Sequence, residues 1–162
     1  MRIETEFFPG ALGAIAKLHG EYYAQHWGFG VFFEAKVATE LSAFALRKSD
    51  DDLVLLGIDD DGLAASLILD LNDPASAERG AHLRWFIIAE RCRGLGLGRR
   101  LMTEAMAHVD AHAEGASWLT TFAGLDPARA LYEAYGYALA HQAEGEAWGV
   151  RVSEQEFRRQ ST

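Results

Sequence analysis

Polar and apolar positions alternate over residues 2–7, which predicts a short strand. Pro9 and Gly10 then open a helix. Its apolar positions Leu12, Ile15, Ala16, Leu18, Tyr22 and Tyr23 recur at helical spacing until Gly28 and Gly30 break it. A second helix is expected over residues 31–47, with Phe33, Val37, Leu41 and Phe44 on one stripe. Apolar runs at 53–58 and 63–69 flank Asp59-Asp60-Asp61-Gly62, and Asp-Gly between two such runs signals a hairpin. Residues 72–80, with Pro74, read as a loop, and 81–89 as the next strand. A glycine-rich stretch leads into an amphipathic helix over 97–113, and 117–122 is a strand rich in β-formers. Asp126-Pro127 starts a helix that Gly136 stops. Residues 137–143 and 147–152 are expected to pair around Gly145, leaving 154–162 as a polar tail.

The predicted order is therefore β-α-α-β-β-β-α-β-α-β-β. Early hairpins and one later βαβ crossover make an α/β fold: one mixed, mostly antiparallel sheet with helices on its faces. A length of 162 residues suits a single domain over 1–162, with 153–162 as its tail.

Composition narrows the function. A hydrophobic fraction of 49% with 24% charged residues is that of a soluble globule. The net charge of −9 argues against a broad nucleic-acid surface and favours approach of a cationic or amine substrate. No apolar run reaches the ~18 residues of a membrane span, and 1–6 lacks the pattern of a signal peptide. One cysteine, Cys92, rules out an internal disulfide and fits a reducing compartment. A cytoplasmic protein is expected. Asp50-Asp51-Asp52 and Asp59-Asp60-Asp61 lack calcium-loop spacing and read as solvated turns, so no metal is expected.

The stretch Arg91-Cys92-Arg93-Gly94-Leu95-Gly96-Leu97-Gly98-Arg99-Arg100 stands out in this acidic chain. It links a predicted strand to a predicted helix. Alternating glycines let the main chain close on an anion, and the helix start adds unpaired N–H groups and a positive dipole end. Arg91, Arg93, Arg99 and Arg100 add charge. G-x-G-x-G differs from the dinucleotide spacing G-x-G-x-x-G, and strand 117–122 carries no carboxylate for a ribose. Arg99-Arg100 replaces the Lys-Ser/Thr of a nucleoside triphosphate loop.

Arg93-Gly94-Leu95-Gly96-Leu97-Gly98 resembles the acetyl-CoA loop [QR]-x-x-G-x-[GA] of the GNAT N-acetyltransferase superfamily. Leu131-Tyr132-Glu133-Ala134-Tyr135-Gly136-Tyr137 is similar to the family's L-Y-E-x-x-G-F element, and the element order agrees over residues 2–152. His19-Gly20-Glu21-Tyr22-Tyr23 and Leu83-Arg84-Trp85-Phe86-Ile87 resemble acetyltransferase domains fused to MarR-type repressors, here in a stand-alone form. The resemblance implies a central splayed parallel pair of strands and acetyl-CoA as co-substrate. It implies that Phe86, Ile87 and Ile88 pair with the pantetheine, with Ile87 polarising the thioester carbonyl. The pyrophosphate would rest on the N–H groups of Arg93, Gly94, Leu95, Gly96, Leu97, Gly98 and Arg99, and Tyr132 would protonate the leaving thiolate. The family's frequent asparagine seven residues before that tyrosine is Leu125 here, so its bond to the pantetheine is absent or supplied otherwise.

The general base is left open. Strand 81–89 offers His82 and Arg84 but no carboxylate, and His19, Glu21, Tyr23 and His26 are further candidates. The first two helices usually wall the acceptor site in this fold, which makes His19, Tyr23, Arg84 and Trp148 the candidate substrate contacts. A mid-strand Arg84 needs a partner, either a carboxylate of the substrate or a structural one such as Glu34. The expected activity is direct acetyl transfer to a primary amine of a small molecule or protein. The alternative is a non-catalytic acyl-CoA sensor or interaction module. The resemblance also allows a homodimer.

Overall fold

A computed structural model describes residues 1–161. Seven strands form one sheet in the order β1-β2-β3-β4-β5-β7-β6. The strands are β1 (Arg2–Glu4), β2 (Leu53–Asp59), β3 (Gly62–Asp70), β4 (Ala81–Ile88), β5 (Ser117–Phe122), β6 (Tyr137–Gly145) and β7 (Val152–Arg159). The helices are α1 (Ala11–Trp27), α2 (Val31–Arg47), α3 (Leu97–His112) and α4 (Asp126–Ala134). Every neighbouring pair is antiparallel except β4 and β5. None of the helices among the described residues is long and apolar enough to cross a membrane.

Helices cover both faces of β2 and β3, which is why those strands read as unbroken apolar runs instead of alternating ones. Leu55, Leu67 and Leu69 pack with Leu101, Met102 and Val109 of α3. Val54, Leu56 and Ile68 pack on the other face with Ile15, Leu41 and Phe44 of α1 and α2. A third cluster, with Phe29, Phe33 and Phe122, sits where α1 and α2 reach the open side of β5.

The C-terminal segment departs from expectation. Residues 154–159 are not a tail: they belong to β7, which lies between β5 and β6. Thr162, the end of the expected tail, lies outside the described residues. The run Ser153-Glu154-Gln155-Glu156-Phe157 looks polar because β7 places few side chains inward. Gln155 and Phe157 are buried, and Phe157 is wholly inaccessible. The expected strand 147–152 is mostly the connection between β6 and β7. The first strand is also shorter than predicted, ending at Glu4.

Candidate active site

Strand β4 changes character midway. Its register against β3 slips between Ser66 and Ile68, and Trp85 at that point has φ +47. This is a β-bulge, held by the Ser66 hydroxyl donating to the Trp85 carbonyl. Beyond the bulge, the edge of β4 that each N–H and C=O faces is shifted by one residue. Before it, the Ala81 N–H points to β5, where it meets the Ala116 carbonyl at 3.0 Å. After it, the Ala89 N–H points to β3, reaching the Ala64 carbonyl at 2.7 Å. Alternation along an antiparallel ladder then turns Ile87, partner of Ser66, toward β3, and turns Phe86 and Ile88 toward β5. The expectation that Ile87 polarises a carbonyl is thereby corrected: its N–H belongs to the ladder, and the groups turned to the split are those of Phe86 and the N–H of Ile88, whose carbonyl accepts from Arg93.

Nothing in the sheet pairs with those groups. Strands β4 and β5 are in register only at Ala81–Ser117 and His82–Trp118, and beyond that they separate. Tyr137 and Ser117 close the base of the split: the two hydroxyls are 2.7 Å apart, and Ser117 donates to the Ala81 carbonyl at 2.8 Å.

At the open end of the split lies the glycine loop. Gly94 and Gly96 have φ +75 and +79, conformations that side chains resist. Alternating turn conformations of this kind aim successive N–H groups into one concavity. Gly96 caps α3 without any side-chain bond, and the Arg100 N–H is the first to find a carbonyl, that of Gly96. The N–H groups of Leu97, Gly98 and Arg99 are thus left for an anion. A Cβ on Gly98 would stand 3.2 Å from Ile88 Cδ1 and from Leu131 Cδ2, so glycine lets α3 sit against both β4 and α4.

The arginines divide. Arg93 donates through Nε to the Ile88 carbonyl at 3.0 Å and through Nη1 to the Tyr22 hydroxyl at 3.1 Å, with its guanidinium over the Tyr22 ring. Arg91 turns away and grips both oxygens of Asp59 at 3.0 Å. It does not belong to the cradle, and Asp59 is an anchor, not a solvated turn residue. The Arg91 guanidinium holds the Asp59 carboxyl well below the usual range. The Cys92 thiol is buried and also donates to Asp59, and burial followed by that carboxylate pushes its pKa up. It is a packed, unreactive thiol.

A cavity of about 1220 Å³ passes along the split and brings the expected residues together. Tyr132, Phe86, Ile88 and Gly98 line it, and so do His19, Tyr23, Arg84 and Trp148. Leu95 of the loop points outward, 76% exposed. Tyr132 is buried 6.2 Å from the Phe86 ring. Burial first, then Tyr23 and Tyr137, raises its pKa, so the phenol keeps its proton at neutral pH. Leu125 lies just before α4 and lines the cavity with an apolar side chain.

Four imidazoles line the cavity, those of His19, His26, His82 and His141; His26 is exposed and bonds Glu90, and His141 is exposed. His19 donates from Nδ1 to the Ile15 carbonyl at 2.8 Å, which leaves Nε2 as an acceptor, and burial lowers its pKa to about 4. His82 lies 2.6 Å through Nδ1 from Asp73 Oδ2 and stacks 3.7 Å from Trp118. Burial, opposed by the Asp73 bond, lowers its pKa to about 4 as well. Arg84 pairs with Asp70 at 3.2 Å, not with Glu34, and lies within 4 Å of Asp73 and Glu40 too. Asp70 is fully buried and also takes both arms of Arg47. Glu34 instead packs its carboxylate against Gly20, where a Cβ would collide with it. Sequence reasoning missed Asp70 and Asp73 as partners of Arg84. It also missed the wall formed by Thr120, Glu154 and Glu156, because β7 was read as a tail.

Residues 13–137 match the acetyltransferase (GNAT) family. Solved structures with the same fold include a ribosomal-protein-alanine N-acetyltransferase from Brucella melitensis. It has a TM-score of 0.74 and 15% identity, over 98% of this chain and 99% of that one. An acyl-CoA N-acyltransferase from Pseudomonas aeruginosa has a TM-score of 0.70 and 19% identity, over 99% and 100%. A variant of spermidine N-acetyltransferase from Vibrio cholerae has a TM-score of 0.66 and 16% identity, over 98% and 94%. No curated protein matches the chain by sequence.

Proposed function

This chain belongs to the acetyltransferase (GNAT) family, and from that premise we propose that it is an acetyl-CoA-dependent N-acetyltransferase. In this reading it passes the acetyl group directly to a primary amine of a small molecule or protein. The observation that carries this reading is the split between β4 and β5, with unpaired main-chain groups along one side and an N–H cradle at its mouth.

The cradle of residues 93–99 takes the pyrophosphate, assisted by Arg99 and the α3 dipole. Ile88, nearest the loop, meets the pantetheine. Phe86 lies two residues, roughly 7 Å, deeper in the split, so its N–H meets the thioester carbonyl. That donor is preset by the bulge and stabilises the oxyanion as it develops, an effect worth about 3 kcal/mol in well-studied enzymes. The amine nitrogen bonds the carbonyl carbon, the C–S bond breaks, and the Tyr132 hydroxyl supplies the proton to sulfur. A thiol of ordinary pKa ~8.5 is a stronger acid than this phenol. The transfer is therefore uphill on its own and is completed as C–S cleavage builds charge on sulfur and the proton shed by nitrogen restores the phenol. The proton shed by nitrogen passes to water, which returns it to Tyr132; His19 and His82, whose pKa values burial lowers to about 4, stay neutral.

The test mixes purified protein with acetyl-CoA and a panel of primary amines and follows free CoA thiol. Amine-dependent release supports the reading. Tight acetyl-CoA binding with no release for any amine would leave a non-catalytic acyl-CoA-binding module instead.

A further inference from the structure

Strand β5 has a free edge of its own. The Ala123 N–H reaches the Ser153 carbonyl of the chain leading into β7 at 2.9 Å. By alternation the odd-numbered residues of β5 serve the β7 ladder, and Thr120 and Phe122 turn their N–H and C=O groups into the split. Extending the β4–β5 register places Thr120 level with Arg84, just before the bulge at Trp85. The acceptor amine must therefore arrive beside a row of main-chain donors and acceptors.

Two further features share this end of the cavity. Phe122 also contributes its ring to an aromatic box: Trp27 is 4.8 Å from it, Trp148 is 5.8 Å and Tyr23 is 5.9 Å. Phe33 adds a fourth wall through its contact with Tyr23. The cations at this end are already committed, Lys36 to Glu40 at 2.9 Å and Arg84 to Asp70 at 3.2 Å. Glu154 and Glu156 line the same end. A substrate carboxylate at β5 would find Lys36 and Arg84 already ion-paired and would lie near Glu154, whereas Glu156 is itself held by Arg79 and Arg158.

We propose that the acceptor is an α-amino amide with a large apolar or aromatic side chain, such as the first residue of a peptide. Its amide pairs with the free edge of β5 at Thr120 and Phe122, and its side chain packs on the cavity face of the aromatic cluster around Phe122. This rests on the transferase reading above. An edge strand recognises an extended amide through main-chain bonds, with pockets for its side chains. A site that pairs with a substrate's polar group discriminates strongly against an analogue that lacks it.

The test compares kcat/KM for phenylalaninamide, free phenylalanine, phenethylamine and spermidine. Phenylalaninamide should exceed each of the others by at least about tenfold, one hydrogen bond's worth or more. Equal or better turnover of phenethylamine or spermidine would overturn the amide assignment while leaving the transferase intact. Preference for free phenylalanine would do the same. No turnover of any amine, with acetyl-CoA still bound, would remove the transferase reading and this inference with it. A second arm uses Thr120→Pro, which deletes one edge N–H without touching the β7 ladder. Provided acetyl-CoA affinity shows the fold intact, the preference for phenylalaninamide over phenethylamine should shrink toward unity. An undiminished preference would overturn the β5 edge as the reader of the amide.

Discussion

Tyr132 and Trp85 show how much chemistry one residue's surroundings add to its identity. Tyr132 is recognisable in sequence by the Leu-Tyr-Glu element around it, but its protonation is set by the packing of Phe86, Tyr137 and Phe157 against its ring. Replacing it with phenylalanine removes the hydroxyl and keeps the packing. We expect kcat to fall by roughly 10²-fold or more, the lower range for a positioned acid, with acetyl-CoA affinity preserved in calorimetry. Unchanged kcat would remove Tyr132 from the chemistry. Trp85 carries no signal in sequence: it looks like any apolar strand residue. Its positive φ reverses which amides of β4 face the split, Phe86 and Ile88 instead of Ile87.

Most elements follow from local rules. The helix at Val31–Arg47 and the strand at Ser117–Phe122 have the predicted bounds, because glycines, apolar periodicity and β-branched residues all agree there. Strand β7 does not follow, because a strand buried through so few side chains has little periodicity to read. Its pairing with both β5 and β6 is a long-range contact that no local pattern encodes. A direct consequence is that Phe157, inaccessible to solvent, is a core residue of the α3 and α4 face. Phe157→Ala should lower the unfolding free energy by about 3–5 kcal/mol, as for other buried phenylalanines. Urea denaturation measures this. A loss below about 1 kcal/mol would be the result expected of a polar tail, and would contradict the central position of β7.

Over the whole molecule, buried neutral imidazoles tie stability to pH. His19 and His82 both have pKa values lowered to about 4 by burial, against 6.5 for the unfolded chain. His82 is faced by Asp73, Asp70 and Arg84, and His19 by the Ile15 carbonyl and the Tyr23 ring. Between pH 6.5 and 4 the unfolded chain binds protons that the native state refuses, so stability falls as pH drops through that window. The full loss is at most on the order of 3 kcal/mol per histidine. The urea midpoint should fall steadily from pH 7 to pH 4.5, and His82→Asn should flatten the fall. A midpoint independent of pH would contradict their burial as neutral rings. Asp59 and Asp73, whose carboxyls are held low, lose their contribution only at more acid pH. The order of elements, the mixed sheet and the glycine turn into α3 were legible along the chain, because periodicity, glycine spacing and helix starts act over a few residues. The phase of β4, the place of β7 and the carboxylates holding Arg84 were not. Each depends on a pairing between segments far apart in the chain, and only packing the sheet between its helices brings those segments together.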